Sequence, residues 1–154
     1  MLLALGLAGC GEGESSPPPG GAGEVAPPEE HAGSAAGRWY TDEMVRSGRD
    51  VYQESCASCH GAAAQGDPSW RERTPDGKFS PPPLNGTAHT WHHPLARLRH
   101  IIDRGTEPKG SMPGWGDRLS DAEIDAALAW IQSRWPDRVY EAWARIDARA
   151  GRGR

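Results

Sequence analysis

A Cys-x-x-Cys-His run from Cys56 to His60 is the part of the sequence with the most specific chemistry. In this motif the two thiols add across the vinyl groups of a haem, and the adjacent imidazole is placed to bind the iron. One helical turn separates Cys56 from Cys59, so both side chains reach the same edge of the porphyrin. A zinc site would need a second Cys or His pair, and a thioredoxin-like redox pair would need a βαβ context. Neither is evident, so we predict one covalently bound haem c with its iron on His60.

The second axial ligand of such an iron is predicted to be Met112. A thioether ligand stabilises ferrous iron and raises its reduction potential. Met112 lies in a Gly/Pro-rich loop between two predicted helices, where backbone can approach a haem closely, whereas Met44 lies in the first predicted helix and is expected to be core or surface. Four further side chains remain alternative ligands, although we expect them to be loop and cap residues: His89, His92, His93 and His100.

Four helices are predicted to position these residues. The first covers about 42–55, with Thr41 as N-cap, and the second about 94–104, with Pro94 at its first position and Gly105 as its stop. The third begins at a capping box of Ser120 and Glu123 and ends before Pro136, and the fourth covers about 138–149. The predicted inward residues are Val45, Gly48, Val51 and Tyr52, then Leu95, Leu98, Ile101 and Ile102, then Ile124, Ala127, Leu128 and Ile131, and finally Val139, Trp143 and Ile146.

Residues 61–92 form a long connection that is rich in Gly and Pro and shows no strand-like alternation. A structureless loop of that length is uncommon in a small domain. It is expected here because it can wrap a cofactor. The composition agrees, since a chain of 154 residues with 36% hydrophobic residues and one Phe has little apolar material for a core of its own. A large buried cofactor would compensate for that.

The charges argue against a nucleic-acid partner. The net charge is −4, and the part from residue 38 onwards carries 17 basic residues and 16 acidic ones. A nucleic-acid-binding domain would show a strongly basic footprint.

The first ten residues, MLLALGLAGC, predict an export signal whose Leu7-Ala8-Gly9-Cys10 ending resembles a bacterial lipobox. We expect Cys10 to be lipidated, which would place the chain on the periplasmic side of a bacterial membrane. The apolar run is shorter than the roughly 20 residues of a membrane-spanning helix. No basic residue precedes it, so we expect the true start codon to lie upstream. Residues 11–37 are Pro, Gly and Glu-rich and are predicted to be a disordered linker.

Taken together, the region from about Thr41 to Trp135 resembles class I c-type cytochromes. The shared features are a helix entering Cys-x-x-Cys-His-Gly, a Pro-Pro-Leu-Asn-Gly loop at 82–86, a middle helix, a Met-Pro-x-Trp-Gly loop at 112–116 and a final amphipathic helix. The resemblance implies the all-α cytochrome c fold, with His60 on one face of the haem iron and Met112 on the other. It also implies that the Pro83 carbonyl accepts a hydrogen bond from the His60 ring.

The same resemblance implies that the first helix crosses the last helix of the family fold, with Gly48 and Tyr52 of the first helix against Trp130 of the last. The domain is predicted to cover 38–154, with residues 137–154, an extra helix and tail, outside the resemblance.

The predicted function is single-electron transfer without catalysis, between membrane or periplasmic redox partners such as an oxidase, a dehydrogenase or another cytochrome. A haem-based gas sensor or binding module, or the electron-entry subunit of a haem enzyme, remain alternatives.

Overall fold

In a computed structural model of the chain, the structure describes residues 37–108 and 110–152. The predicted signal 1–10, the predicted lipidation site Cys10 and all but the last residue of the predicted linker lie outside these residues. The described residues contain five α-helices, namely α1 (Asp42–Ser55), α2 (Ala57–His60), α3 (Leu95–Arg104), α4 (Asp121–Ser133) and α5 (Asp137–Arg152), and a 3₁₀ turn at Thr90–His92. They contain one isolated bridge, Arg73 to Phe79, and no strand. The all-α prediction is confirmed, and the helix beyond the predicted four is the short α2.

Helix α1 has the predicted bounds and the predicted cap. The Thr41 hydroxyl accepts a hydrogen bond from the Met44 N–H at 3.2 Å, which satisfies one of the free donors of the first turn. Gly48 and Tyr52 are buried as predicted, while Val45 and Val51 are half-buried.

Helices α1 and α4 cross at Gly48. A Cβ at this position would lie 1.8 Å from the carbonyl oxygen of Ala126, so only glycine permits the approach. One turn further on, the Tyr52 ring packs on the Trp130 ring with centroids 4.1 Å apart. The crossing that the family resemblance implied is therefore present.

Helix α4 is the most buried element. The capping box is formed, since the Ser120 hydroxyl accepts from the Glu123 N–H and the Glu123 carboxylate accepts from the Ser120 N–H at 2.8 Å. All four predicted inward residues are buried, and so are Ala126, Ala129, Trp130 and Gln132. The wider burial arises because α4 contacts α1 as well as α3.

Helix α3 differs from its prediction at one end. Pro94 is the N-cap with ψ 158°, outside the helix, and α3 begins at Leu95. Leu98 and Ile102 are buried, Leu95 and Ile101 are half-buried, and Gly105 ends the helix as predicted.

Helix α5 extends beyond the predicted 138–149 at both ends. Trp143 is buried as predicted, Val139 and Ile146 are half-buried, and the buried Tyr140 was missed. No helix within the described ranges is both long and apolar enough to cross a membrane.

Two indoles hold the long connection onto the helices. The Trp135 indole N–H donates to the Leu84 carbonyl at 2.7 Å, and the Trp143 indole N–H donates to the His93 carbonyl at 3.0 Å. The connection also folds back on its own first residues, because the Leu84 N–H donates to the carbonyl of the buried Ala64 at 2.8 Å. It is thus a wall with fixed backbone rather than an open loop.

Candidate haem site

A cavity of about 710 Å³ lies between α2, the long connection, α3, α4 and the loop after α3. Its size falls in the range of roughly 300–1,000 Å³ that is typical of cofactor sites. The wall includes the apolar side chains Leu84, Leu98, Ile101, Ile102, Leu128 and Ile131. The same wall carries Cys56, Cys59, His60 and Met112, so the structure brings the predicted thiols, imidazole and thioether to one space.

The two thiols are presented by the junction of α1 and α2. The Cys56 N–H still donates to the Tyr52 carbonyl at 2.9 Å, while the Cys56 carbonyl accepts from the His60 N–H at 2.9 Å. Cys56 thus ends one helix and begins the next, and the two cysteines are not joined in a disulfide. Cys56 is half-buried and Cys59 is exposed. Before haem is attached, burial, with a smaller contribution from Cys59, raises the pKa of the Cys56 thiol to about 11, so the thiol is protonated at neutral pH.

His60 is buried with its ring oriented by one hydrogen bond. Its Nδ1 lies 3.0 Å from the Pro82 carbonyl oxygen. A carbonyl can only accept, so Nδ1 carries the proton and Nε2 keeps a lone pair for a metal. Burial lowers the pKa of His60, although the Pro82 hydrogen bond opposes this, so the neutral, ligating form is favoured.

The acceptor is Pro82, and the prediction of Pro83 was wrong by one residue. The Pro83 carbonyl instead faces the Thr90 hydroxyl at 3.4 Å. In an extended proline run successive carbonyls rotate by about a third of a turn, so only one of neighbouring carbonyls can face the ring. The run packs directly against Gly66, where a Cβ would lie 2.3 Å from the Pro83 nitrogen, and the neighbouring Asp67 N–H donates to the Pro81 carbonyl at 2.9 Å. The sequence pattern does not contain these contacts.

Met112 is held against the end of α3. The Thr106 N–H donates to the Met112 carbonyl at 2.9 Å, and the Met112 N–H donates to the Thr106 hydroxyl at 3.2 Å. A Cβ at Gly105 would lie 2.6 Å from the Met112 carbonyl oxygen. Met112 is half-buried, lines the cavity and packs against the core. Sequence reasoning missed Thr106, and its only signal was its place directly after the glycine that stops α3.

Of the four histidines left as alternative ligands, two line the cavity. The His89 ring packs on the Trp70 ring at 5.5 Å and meets the His93 ring edge-on at 6.0 Å. Burial lowers the pKa of both imidazoles. His92 and His100 are exposed and lie outside the cavity wall. Trp70 was another residue that sequence reasoning missed, because a lone Trp in a loop carries no pattern.

The sequence profile of the family described as cytochrome c oxidase, cbb3-type, subunit III matches residues 43–131. The chain belongs to this family of c-type cytochromes. The resemblance to class I cytochromes c is thereby confirmed, and with it the cofactor of the domain, a covalently bound haem c with iron. The domain is of the electron-carrying type.

Among curated relatives, the cytochrome is 34% identical over 89 residues to a cbb3-type cytochrome c oxidase subunit CcoP of Azospirillum sp. (strain B510), covering 58% of this chain and 28% of that one. It is 33% identical over 104 residues to a nitrite reductase of Stutzerimonas stutzeri, covering 64% of this chain and 17% of that one. It is 32% identical over 85 residues to cytochrome c6 of Bryopsis maxima, covering 54% of this chain and 84% of that one. The chain thus spans less than a third of the first two relatives. No solved structure matches it significantly.

Proposed function

We propose that the chain carries single electrons through one haem bonded to Cys56 and Cys59, with His60 and Met112 as axial ligands of the iron. The observation that supports this most directly is that all four side chains line one apolar cavity of cofactor size. The haem supplies a one-electron couple between ferric and ferrous iron.

Residues of the protein hold the two proposed ligands and form the apolar surroundings of this redox couple. The Pro82 carbonyl holds the His60 proton on Nδ1 and directs Nε2 into the cavity. The loop bonds between Thr106 and Met112 hold the backbone that carries the thioether, and a thioether ligand would raise the potential. The apolar wall limits water, which further favours the less charged ferrous state.

Electron exchange needs part of the cofactor near the surface. Cys59 is exposed while Cys56 is half-buried, so the attachment side of the site reaches solvent. A partner can therefore approach this side without opening the fold.

The partner is proposed to be a membrane or periplasmic redox protein such as an oxidase, a dehydrogenase or another cytochrome. Relatives named as cbb3-type oxidase subunits support an oxidase. We further propose that residues 1–10 direct export, that Cys10 carries a lipid on the periplasmic side of the membrane, and that residues 11–37 link this anchor to the cytochrome domain at 38–154.

A second candidate is electron entry within a larger haem enzyme. The observation that favours it is that the matching regions are small parts of an oxidase subunit and a nitrite reductase, 28% and 17% of their lengths. Co-purification of the chain with a terminal enzyme in a fixed ratio would distinguish this from a freely exchanging carrier.

The test of the proposed function uses the full chain, produced in a host that attaches c-type haem, with Cys10→Ser to remove lipidation. We expect one haem per chain in a pyridine haemochrome assay, retained after acid-acetone extraction. We also expect a reversible one-electron couple and no carbon monoxide adduct of the ferrous protein. Haem that extracts into acetone would contradict attachment to Cys56 and Cys59, and a carbon monoxide adduct in the unmodified site would favour a gas-binding module.

A further inference from the structure

Helix α5 lies beyond residues 43–131, the part that matches the cytochrome family, yet it is fixed to the domain. Tyr140 and Trp143 are buried, and the Trp143 indole N–H donates to the His93 carbonyl at 3.0 Å. The Arg38 guanidinium lies 4.1 Å over the Tyr140 ring. The helix therefore presents a defined outer face.

That outer face is a row of arginines. Successive residues of an α-helix are about 100° apart, which places Arg138, Arg145, Arg149 and Arg152 within an arc of about 60°. The arc is opposite the buried Tyr140 and Trp143. All four arginines are exposed, and at about 1.5 Å per residue the row is about 21 Å long. We call these four residues the arginine row.

The acidic residues of α5 do not neutralise the row. The Asp147 carboxylate accepts from the Leu95 N–H at 2.7 Å at the start of α3, and Asp137 pairs with Arg38 at 2.6 Å. Glu141 is exposed at the margin of the row. Within residues 37–108 and 110–152, none of the four arginines forms an ion pair. The row is thus a line of four unpaired positive charges beside one carboxylate.

We propose that the arginine row is a docking surface for a protein partner that presents a complementary row of carboxylates. Guanidinium groups bind carboxylates in a bidentate manner and lose less hydration than ammonium groups, so they suit an acidic protein face. The helix is already fixed, so docking need not order it. Complementary charge of this kind speeds association and selects the partner.

A lipid surface fits the arginine row less well. A helix that lies on a membrane inserts large apolar residues between its basic ones. Of the large apolar side chains of α5, Tyr140 and Trp143 are buried in the domain, while Val139 and Ile146 are half-buried and lie about 90–110° away from the centre of the arginine row. The outer face itself offers only Ala142 and Ala148. The outer face of α5 therefore carries positive charge but no large apolar side chain that could insert into a lipid layer.

The test measures association directly and needs no electron transfer. The haem-loaded full chain with Cys10→Ser is titrated into a labelled, designed helical protein that carries a row of glutamates along one face. Fluorescence anisotropy is recorded at about 20 mM and about 200 mM salt, where the screening length differs about threefold. The chain variants are Arg145→Glu with Arg149→Glu, and the matched control Arg46→Glu with Arg97→Glu, which changes the net charge equally at exposed sites on α1 and α3.

We expect the parent chain and the control to bind with similar affinity, with binding that weakens at the higher salt. The α5 variant should bind roughly tenfold or more weakly. Equal weakening in the two variants would overturn the proposal, because it would show an effect of net charge alone. Tighter binding to vesicles containing phosphatidylglycerol than to the acidic protein, lost in the α5 variant, would overturn it in favour of a lipid surface.

Discussion

Thr106 and Met112 are joined through two hydrogen bonds that close the seven-residue loop 106–112. The Thr106 N–H donates to the Met112 carbonyl at 2.9 Å, and the Thr106 hydroxyl accepts from the Met112 N–H at 3.2 Å. The loop is fixed to α3 as well, since the Trp115 N–H donates to the Ile102 carbonyl at 2.9 Å. Hydrogen bonds to the end of α3 and to the residue after it therefore hold the backbone on both sides of Met112, whose thioether is proposed to bind the iron.

Thr106→Val is expected to loosen this placement. The substitution keeps the N–H bond to Met112 and the volume but removes the hydroxyl that accepts from the Met112 N–H, a change worth about 1 kcal/mol. The sulfur-to-iron band in the near-infrared spectrum of the ferric protein should weaken, and should be lost at lower denaturant concentration than global unfolding. Thr87→Val is the control, because the exposed Thr87 bonds only within its own turn. An unchanged band throughout the titration would show that the hydroxyl does not position Met112.

Met112→Leu is expected to abolish the sulfur-to-iron band and to allow the ferrous protein to bind carbon monoxide, because leucine fills a similar volume without a donor atom. Met44→Leu is the matched control. Met44 is also half-buried against the core, but it lies on the first turn of α1 and does not line the cavity. If the parent protein itself lacks the band, His89 or His93 of the cavity wall is the ligand, and carbon monoxide binding by ferrous His89→Gln and His93→Gln identifies which. A band that survives in Met112→Leu would contradict Met112 as the sulfur ligand.

The helices could be read from the sequence because their signals are local. Thr41 and the Ser120/Glu123 box fix two helix starts within single turns, and the burial of α4 follows from spacing. The α1–α4 crossing was available only through the family resemblance, since nothing local to Gly48 names Ala126 as its neighbour.

The errors arose where the answer depends on backbone far away in sequence. Pro82 rather than Pro83 meets His60 in a proline run that packs against Gly66, a contact across 16 residues or more. Thr106 was missed because a single hydroxyl in a loop has no periodicity. The His89 ring lies in the cavity wall against Trp70, and the sequence pattern does not contain that contact.

Gly48→Ala is expected to destabilise the folded protein by about 3 kcal/mol or more, because the new Cβ would lie 1.8 Å from the Ala126 carbonyl oxygen and the two helices would have to separate. Gly151→Ala is the control. It lies in α5 with nothing within 4 Å of the added Cβ, so it should stabilise the protein by up to about 1 kcal/mol through helix propensity. Urea unfolding followed by circular dichroism gives both values. Equal stability of Gly48→Ala and the parent would contradict the close approach of α1 and α4.

The stability of the protein is expected to fall as the pH is lowered through about 6.5, in part because of His89 and His93. Burial depresses the pKa of both rings below 6.5, so the unfolded chain takes up protons at a higher pH than the folded one. Their contribution is fully present above about pH 6.5 and is lost as the pH falls through their folded pKa values. His89→Gln with His93→Gln should reduce the difference between urea midpoints at pH 7.5 and pH 5, and His100→Gln, at a site outside the cavity wall, is the matched control. An identical pH dependence in all three proteins would show that the two cavity imidazoles titrate alike in the folded and unfolded states.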